Sequence, residues 1–243
     1  MKIHAILSFF DESPSWLAAC VASMAKLCDH VVAVDGRYAL FDHEMVVSPT
    51  DQAETIVETC EGAGLPLTLY RPAAPFYGNE VEKRNLSLRL AMAVAEPMVD
   101  WLLVLDADCY ITDHSDLLKY DLERCVEHCA SVSAEEHVDP LNPAAPLAVA
   151  HHVSLAETWR SPVTLLYRCI PDLAYEGTHY SLSGTLDGRK VWLWGHEKAE
   201  QPFDARHAVT VRHRNVLRPI RRREQASVYY QQRDRLGIEA RPR

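Results

Sequence analysis

"WLLVLDADCYI", residues 101–111, decides how this chain folds. An unbroken apolar run from Trp101 to Leu105 leads straight into Asp106 and Asp108. A short continuous apolar run bounded by polar residues marks a strand buried on both faces, as the central strands of parallel sheets are. Aspartate is a poor strand former, so the first acid marks the strand's end. Two carboxylates one residue apart repel each other unless a positive charge comes between them. In an open α/β sheet, ligands bind beyond the carboxyl ends of the strands. Paired acids at that place can hold a hard divalent cation, which keeps positions open for phosphate oxygens. The other reading of Asp-Ala-Asp is a solvated turn, and the motif alone does not separate the two.

The flanking sequence supplies the rest of the sheet. "KIHAILSFF" (2–10), "HVVAVDG" (30–36) and "LPLTLY" (65–70) read as three further buried strands. Between them lie helical patterns. After Ser13 as cap and Pro14 at the first position, Trp16, Leu17, Cys20, Val21, Met24, Leu27 and Cys28 share one helical face. "SPTDQAETIVETCEGAG" is a helix closed by glycine, and "GNEVEKRNLSLRLAMAVAE" (78–96) a third. Strands alternating with helices predict an α/β fold with a mostly parallel central sheet flanked by helices over roughly the first 110 residues. Asp35, after the second strand, then faces the same crevice as Asp106 and Asp108. In the second half, "SPVTLLYRCI" and "KVWLWG" read as strands and "SAEEHVDPLNPAAPL" as a loop. "RREQASVYYQQRDRLG" reads as a basic C-terminal helix in which Tyr229 and Tyr230 are packing groups.

Charge is distributed unevenly. Residues 1–205 carry 14 Lys/Arg against 31 Asp/Glu, and residues 206–243 carry 11 arginines, no lysine and three acids, within an overall net charge of −9. Arginine without lysine points to fork-like recognition of phosphate or carboxylate. The acidic body argues against a broad nucleic-acid surface, so no nucleic-acid partner is expected. No apolar run approaches the ~18 residues of a membrane span, and the start lacks a signal-peptide pattern. The seven cysteines are scattered and odd in number, which predicts reduced thiols and a cytoplasmic location. Cys125, His128 and Cys129 lack a second Cys/His pair at ligand spacing, so a structural role is expected for them.

Taken in order, "VVAVDGRYALF", "GNEVEKRNLSLRLA" and "WLLVLDADCYI" resemble the nucleotide-binding half of GT-A glycosyltransferases, in particular the family 2-like ones. The tail "VRHRNVLRPIRRREQASVYYQQRDRLGIE" resembles their ends, with a histidine followed by arginines and a Tyr-Tyr…Arg helix. The resemblance covers most of 1–115 and roughly 206–240, and touches 115–205 only through "YEGTH". It implies one GT-A type (Rossmann-like) domain. Residues 1–115 would form its nucleotide-sugar-binding half, and 116–243 its acceptor-binding half with the arginine-rich segment. The implied activity moves a sugar from a UDP- or GDP-sugar to an acceptor hydroxyl, on a glycan, protein or small molecule, with Mn²⁺ or Mg²⁺.

The resemblance assigns roles residue by residue. Asp35 would accept hydrogen bonds from the base, while Lys83, Arg84 and Asn85 would reach the nucleotide. Asp108 would bind the metal, and Asp106 the ribose or the metal's water shell. His213 would complete the metal shell or touch the diphosphate, with His207 as the nearby alternative. Arg218, Arg221 and Arg222 would neutralise the departing diphosphate. An inverting transfer needs a base on the acceptor hydroxyl. Glu176 is the first choice and His179 the second, with Asp187 and Glu197 also available; a retaining transfer would need none. Three other readings stand beside this one. A phosphohydrolase with the same Asp-x-Asp would carry it near the chain start, with Thr or Val further on, where Cys109-Tyr110 follows here. A nucleotidyltransferase would want a glycine-rich phosphate loop near the start. A nucleic-acid-binding protein would use the arginine tail.

Overall fold

The computed structural model describes residues 1–138, 154–179, 181–214 and 220–237. The apolar runs form β1 (Ile3–Ser8), β2 (His30–Val34), β3 (Leu67–Tyr70) and β4 (Trp101–Asp106), joined by α1 (Pro14–Met24), α2 (Thr50–Gly62) and α3 (Asn79–Met92). These four strands are parallel, in the order β3-β2-β1-β4. Side chains alternate along each strand, and both faces of β1, β2 and β4 are buried. Ile3, Ala5, Leu7, Trp101, Leu103 and Leu105 pack on one face with Leu17, Cys20, Val21, Ile56 and Cys60 of α1 and α2. Ile6, Leu102 and Val104 pack on the other with Leu88 and Ala91 of α3. This explains the unbroken apolar run at 101–105, because neither face meets water. Each such side chain contributes about 1.5–3 kcal/mol by leaving water.

The second half joins the same sheet but reverses direction. After β5 (Cys109–His114) and α4 (Leu118–Arg124) come β6 (Cys129–Val138) and β7 (Ser154–Arg168). β7 runs antiparallel to both β4 and β6. A small antiparallel sheet follows, made of β8 (Ala174–Tyr175), β9 (Leu182–Leu186) and β10 (Arg189–Trp194). It packs on the α3 side through Tyr175, Leu182 and Leu193. β11 (Phe203–Asp204) and β12 (Val209–His213) then add parallel strands beside β6, and β5 closes the far edge antiparallel to β12. α5 (Ile220–Arg235) ends the described chain. The whole is an α/β fold with a large central sheet flanked by helices.

The sheet is parallel through β4, as expected for the first 110 residues, and mixed beyond it. Two expectations need correction. Ser133–Val138 belongs to β6 and is no loop, and the rest of that predicted loop lies outside the described residues. Glu135 can stand in a strand because its carboxylate, 5% exposed, meets Arg160 and Arg212 from the neighbouring strands. Ser13 holds the cap position of α1 before Pro14, but its hydroxyl pairs with Ser15 Oγ at 2.8 Å and makes no capping bond. Among the described residues, no helix is long and apolar enough to cross a membrane. All seven cysteines are free thiols.

Candidate functional site

The register Ser8↔Asp106 and Ser8↔Val34 brings the carboxyl ends of β1, β2 and β4 level with one another. A cavity of about 540 Å³ opens there, and α3, β12 and α5 complete its walls. The spacing of Glu80, Lys83 and Arg84 sets all three on one face of α3, towards the cavity.

Asp106 and Asp108 separate in role. Arg84 Nη2 donates to both oxygens of Asp106, at 3.1 and 3.0 Å. Asp108 is nearly buried, its side chain 4% exposed, and His213 Nε2 lies 3.0 Å from its Oδ2. His213 arrives there because β12 pairs with β5 and sets it directly opposite Cys109. The donor atoms of Asp108, Cys109 and His213 all lie within 4.8 Å of one another. Burial, with the charges of Asp108 and Asp106 adding to it, pushes the Cys109 thiol well above its ordinary range. A carboxylate and an imidazole suit a divalent cation, so the donor set fits a metal; Asp106 lies outside this cluster, turned to Arg84.

Lys83 is buried and spans two strand ends. Its Nζ donates to Phe9 O at 2.6 Å and Gly36 O at 2.8 Å. Burial lowers its ammonium to about 7, against the opposing pull of Asp35 and Asp106. Gly36 is required for this turn, since its φ is 109° and a Cβ would meet Pro72 Cγ at 2.5 Å.

The remaining predicted residues divide. Asp35 is wholly buried and does not reach the cavity. Its carboxylate accepts from Gly36 N, from Ser48 N and Oγ, and from Arg71 Nε. The acid at the end of β2 thus ties its turn to Ser48 and Arg71, and it does not line the cavity where a base was expected to meet it. Asn85 is likewise spent: its amide donates to Tyr175 O at 3.0 Å and accepts from Tyr175 N at 2.7 Å, clamping α3 to β8. Glu176 is outside the cavity lining and is held by Ser183 and Lys190. Those two hydrogen bonds lower its carboxyl, with burial opposing them weakly. Asp187 and Glu197 do not line the cavity either. His179 does line it, but its Nδ1 is bound to Glu80. His207 stands in the turn before β12, exposed and 3.7 Å from Asp121, away from the cavity. Arg218 lies outside the described residues, as does the side chain of Arg221. Arg222 lines the cavity, donating to Phe10 O at 2.8 Å with its guanidinium over the Phe41 ring.

Some residues escaped sequence reasoning. Glu80 and Arg233 are both buried and paired at 3.1 Å across 153 positions, tying α5 to α3. Tyr229 stacks on Tyr38 at 5.4 Å, as a packing group should. Glu12, from the loop after β1, is a buried cavity carboxylate. Of Glu80, Arg233 and Glu12, only Glu80 carried a signal, its helical spacing with Lys83 and Arg84. At Cys125, His128 and Cys129 there is no metal cluster; Cys129 is buried in the core and His128 pairs with Glu200 at 3.1 Å.

No family model matches the chain, and no curated protein does. Among solved structures, it is similar to a Bacillus anthracis protein assigned as a glucose-1-phosphate thymidylyltransferase, at 10% identity and a TM-score of 0.39, covering 69% of this chain and 72% of that one. It is also similar to the 2-C-methyl-D-erythritol 4-phosphate cytidylyltransferase of Francisella tularensis, at 9% identity and a TM-score of 0.31, over 70% and 73% of the two chains. Likeness at this level carries no activity across.

Proposed function

We propose that the cavity binds a nucleotide sugar together with a divalent cation, and that the chain transfers the sugar to an acceptor hydroxyl. The observation that carries this reading is the Asp108–His213 pair, 3.0 Å apart, on the wall of a cavity that also holds Lys83, Arg84 and Arg222. Anionic and imidazole donors suit the cation, while the Arg84 and Arg222 guanidiniums suit a diphosphate. When bound, the cation would be held by Asp108 and His213 and would supply charge stabilisation to the departing diphosphate. Arg222, fixed by Phe10 O, would orient the diphosphate from the α5 side. Arg84, held by Asp106, would do so from α3. The buried setting strengthens each of these interactions.

A sugar transferase fits better than a nucleotidyltransferase because the loop after β1 carries Asp11 and Glu12 in place of a glycine-rich phosphate cradle. Thermal shift and product analysis test the choice. UDP- or GDP-sugars with Mn²⁺ or Mg²⁺ should stabilise the protein, by ~2.7 kcal/mol at a hundredfold excess over the dissociation constant. Slow turnover should release nucleoside diphosphate. Stabilisation by nucleoside triphosphate with a sugar phosphate, and release of pyrophosphate, would instead establish nucleotidyl transfer.

A further inference from the structure

We propose that Asp108, Cys109 and His213 form a mixed oxygen, sulfur and nitrogen site that selects a thiophilic divalent ion, zinc or cobalt, over magnesium. The inference rests on the cation-site part of the reading above and is independent of sugar transfer.

The backbone builds this cluster. Consecutive strand residues normally point to opposite faces. Here Ala107 and Asp108 form a turn between β4 and β5, so Asp108 lies outside the alternation and shares a side with Cys109. His213 is the direct cross-strand partner of Cys109. The Asp108 carboxylate therefore lies between the two, with Cys109 Sγ 3.8 Å from its Oδ1 and His213 Nε2 3.0 Å from its Oδ2. At ordinary Zn–S and Zn–N lengths, tetrahedral ligand atoms stand about 3.3–3.8 Å apart. The largest separation allowed in this cluster is 4.8 Å, so side-chain adjustments of about 1 Å would close it.

All three residues line the cavity. A bound ion would thus have three protein ligands and a side open to the cavity, the arrangement of catalytic rather than structural zinc sites. A carboxylate suits magnesium or manganese and an imidazole suits zinc, and a thiolate shifts the set further towards softer ions. As the metal–sulfur bond forms, the thiol loses its proton to solvent.

Cobalt(II) added to the metal-free full-length protein provides the test. The expected result is a near-ultraviolet sulfur-to-cobalt charge-transfer band, displaced by Zn²⁺ and not by Mg²⁺. By ligand softness, zinc should compete at least about 10³-fold better than magnesium. In Cys109→Ser the band should vanish, and that zinc preference should fall at least about 100-fold while circular dichroism stays unchanged. Cys109→Ala supplies a second variant if serine perturbs β5. A wild-type cobalt complex without the band, or a band that survives in both variants, overturns the proposal. In the first case, loss of cobalt binding in Asp108→Asn would leave the carboxylate–imidazole site and the proposed function standing. If no divalent ion binds the wild type, both fall.

Discussion

The strands β1 to β4 and the chain beyond them are stabilised by different forces. In the first region most side chains of β1, β2 and β4 are apolar and buried on helix-covered faces. Beyond β4, charged pairs link segments far apart in sequence: Glu135 with Arg212 and Arg160, and Arg233 of α5 back to Glu80 on α3. Apolar burial is non-directional and shows in sequence as local periodicity. A buried ion pair shows only when both partners are seen together.

The largest expected effect falls on the first region. Trp101 is fully buried in β4, and Trp101→Ala should cost about 3–5 kcal/mol by removing burial and leaving a cavity. Urea denaturation should register the loss in every probe at once; a loss confined to one part of the chain would break the comparison.

Arg233→Met should cost about 3 kcal/mol, because Glu80 would remain buried with one partner fewer. Unlike the tryptophan variant, it should loosen α5 while β1 to β4 stay protected in hydrogen exchange. Uniform loss of protection would contradict the division.

Acid should act on the same tie. Burial raises the Glu80 carboxyl, but the hydrogen bond and charge of His179, with Arg84 and Arg233, outweigh it and hold the carboxyl well below its ordinary 4.5. A folded-state value lowered in this way adds stability that is complete above the unfolded value and is lost as pH falls through the folded one. The stability gap between wild type and Glu80→Gln should therefore stay level above about pH 5 and shrink as pH falls from about 4.5 towards about 2. A gap that widens with acid would reverse the assignment.

These contrasts explain what could be read in advance. The four strands, three helices and the Asp106–Asp108 strand end followed from apolar runs and helical spacing. The ties of Asp35 were not legible because its partners Ser48 and Arg71 lie 13 and 36 residues away. The clamp at Asn85 was not legible because its partner, the Tyr175 backbone, is 90 residues distant. β6 looked like a loop because Glu135 is neutralised only after folding.

The smallest effect is expected at Glu176. Its carboxylate is 42% exposed and already paired with Lys190. Glu176→Gln should change stability by ~0–1 kcal/mol and leave donor binding unchanged. Abolished transfer with intact folding would restore it as the catalytic base.

The central claim is that the cavity takes a nucleoside diphosphate through a cation held at Asp108. Titration calorimetry with UDP and GDP, in Mn²⁺ and in EDTA, on wild type and on Asp108→Asn tests it directly. Binding should require Mn²⁺ and be lost in the variant, whose melting temperature should stay close to wild type because an amide can keep its contact with His213. Equal affinity in Mn²⁺ and EDTA, or unchanged binding by Asp108→Asn, would contradict the account.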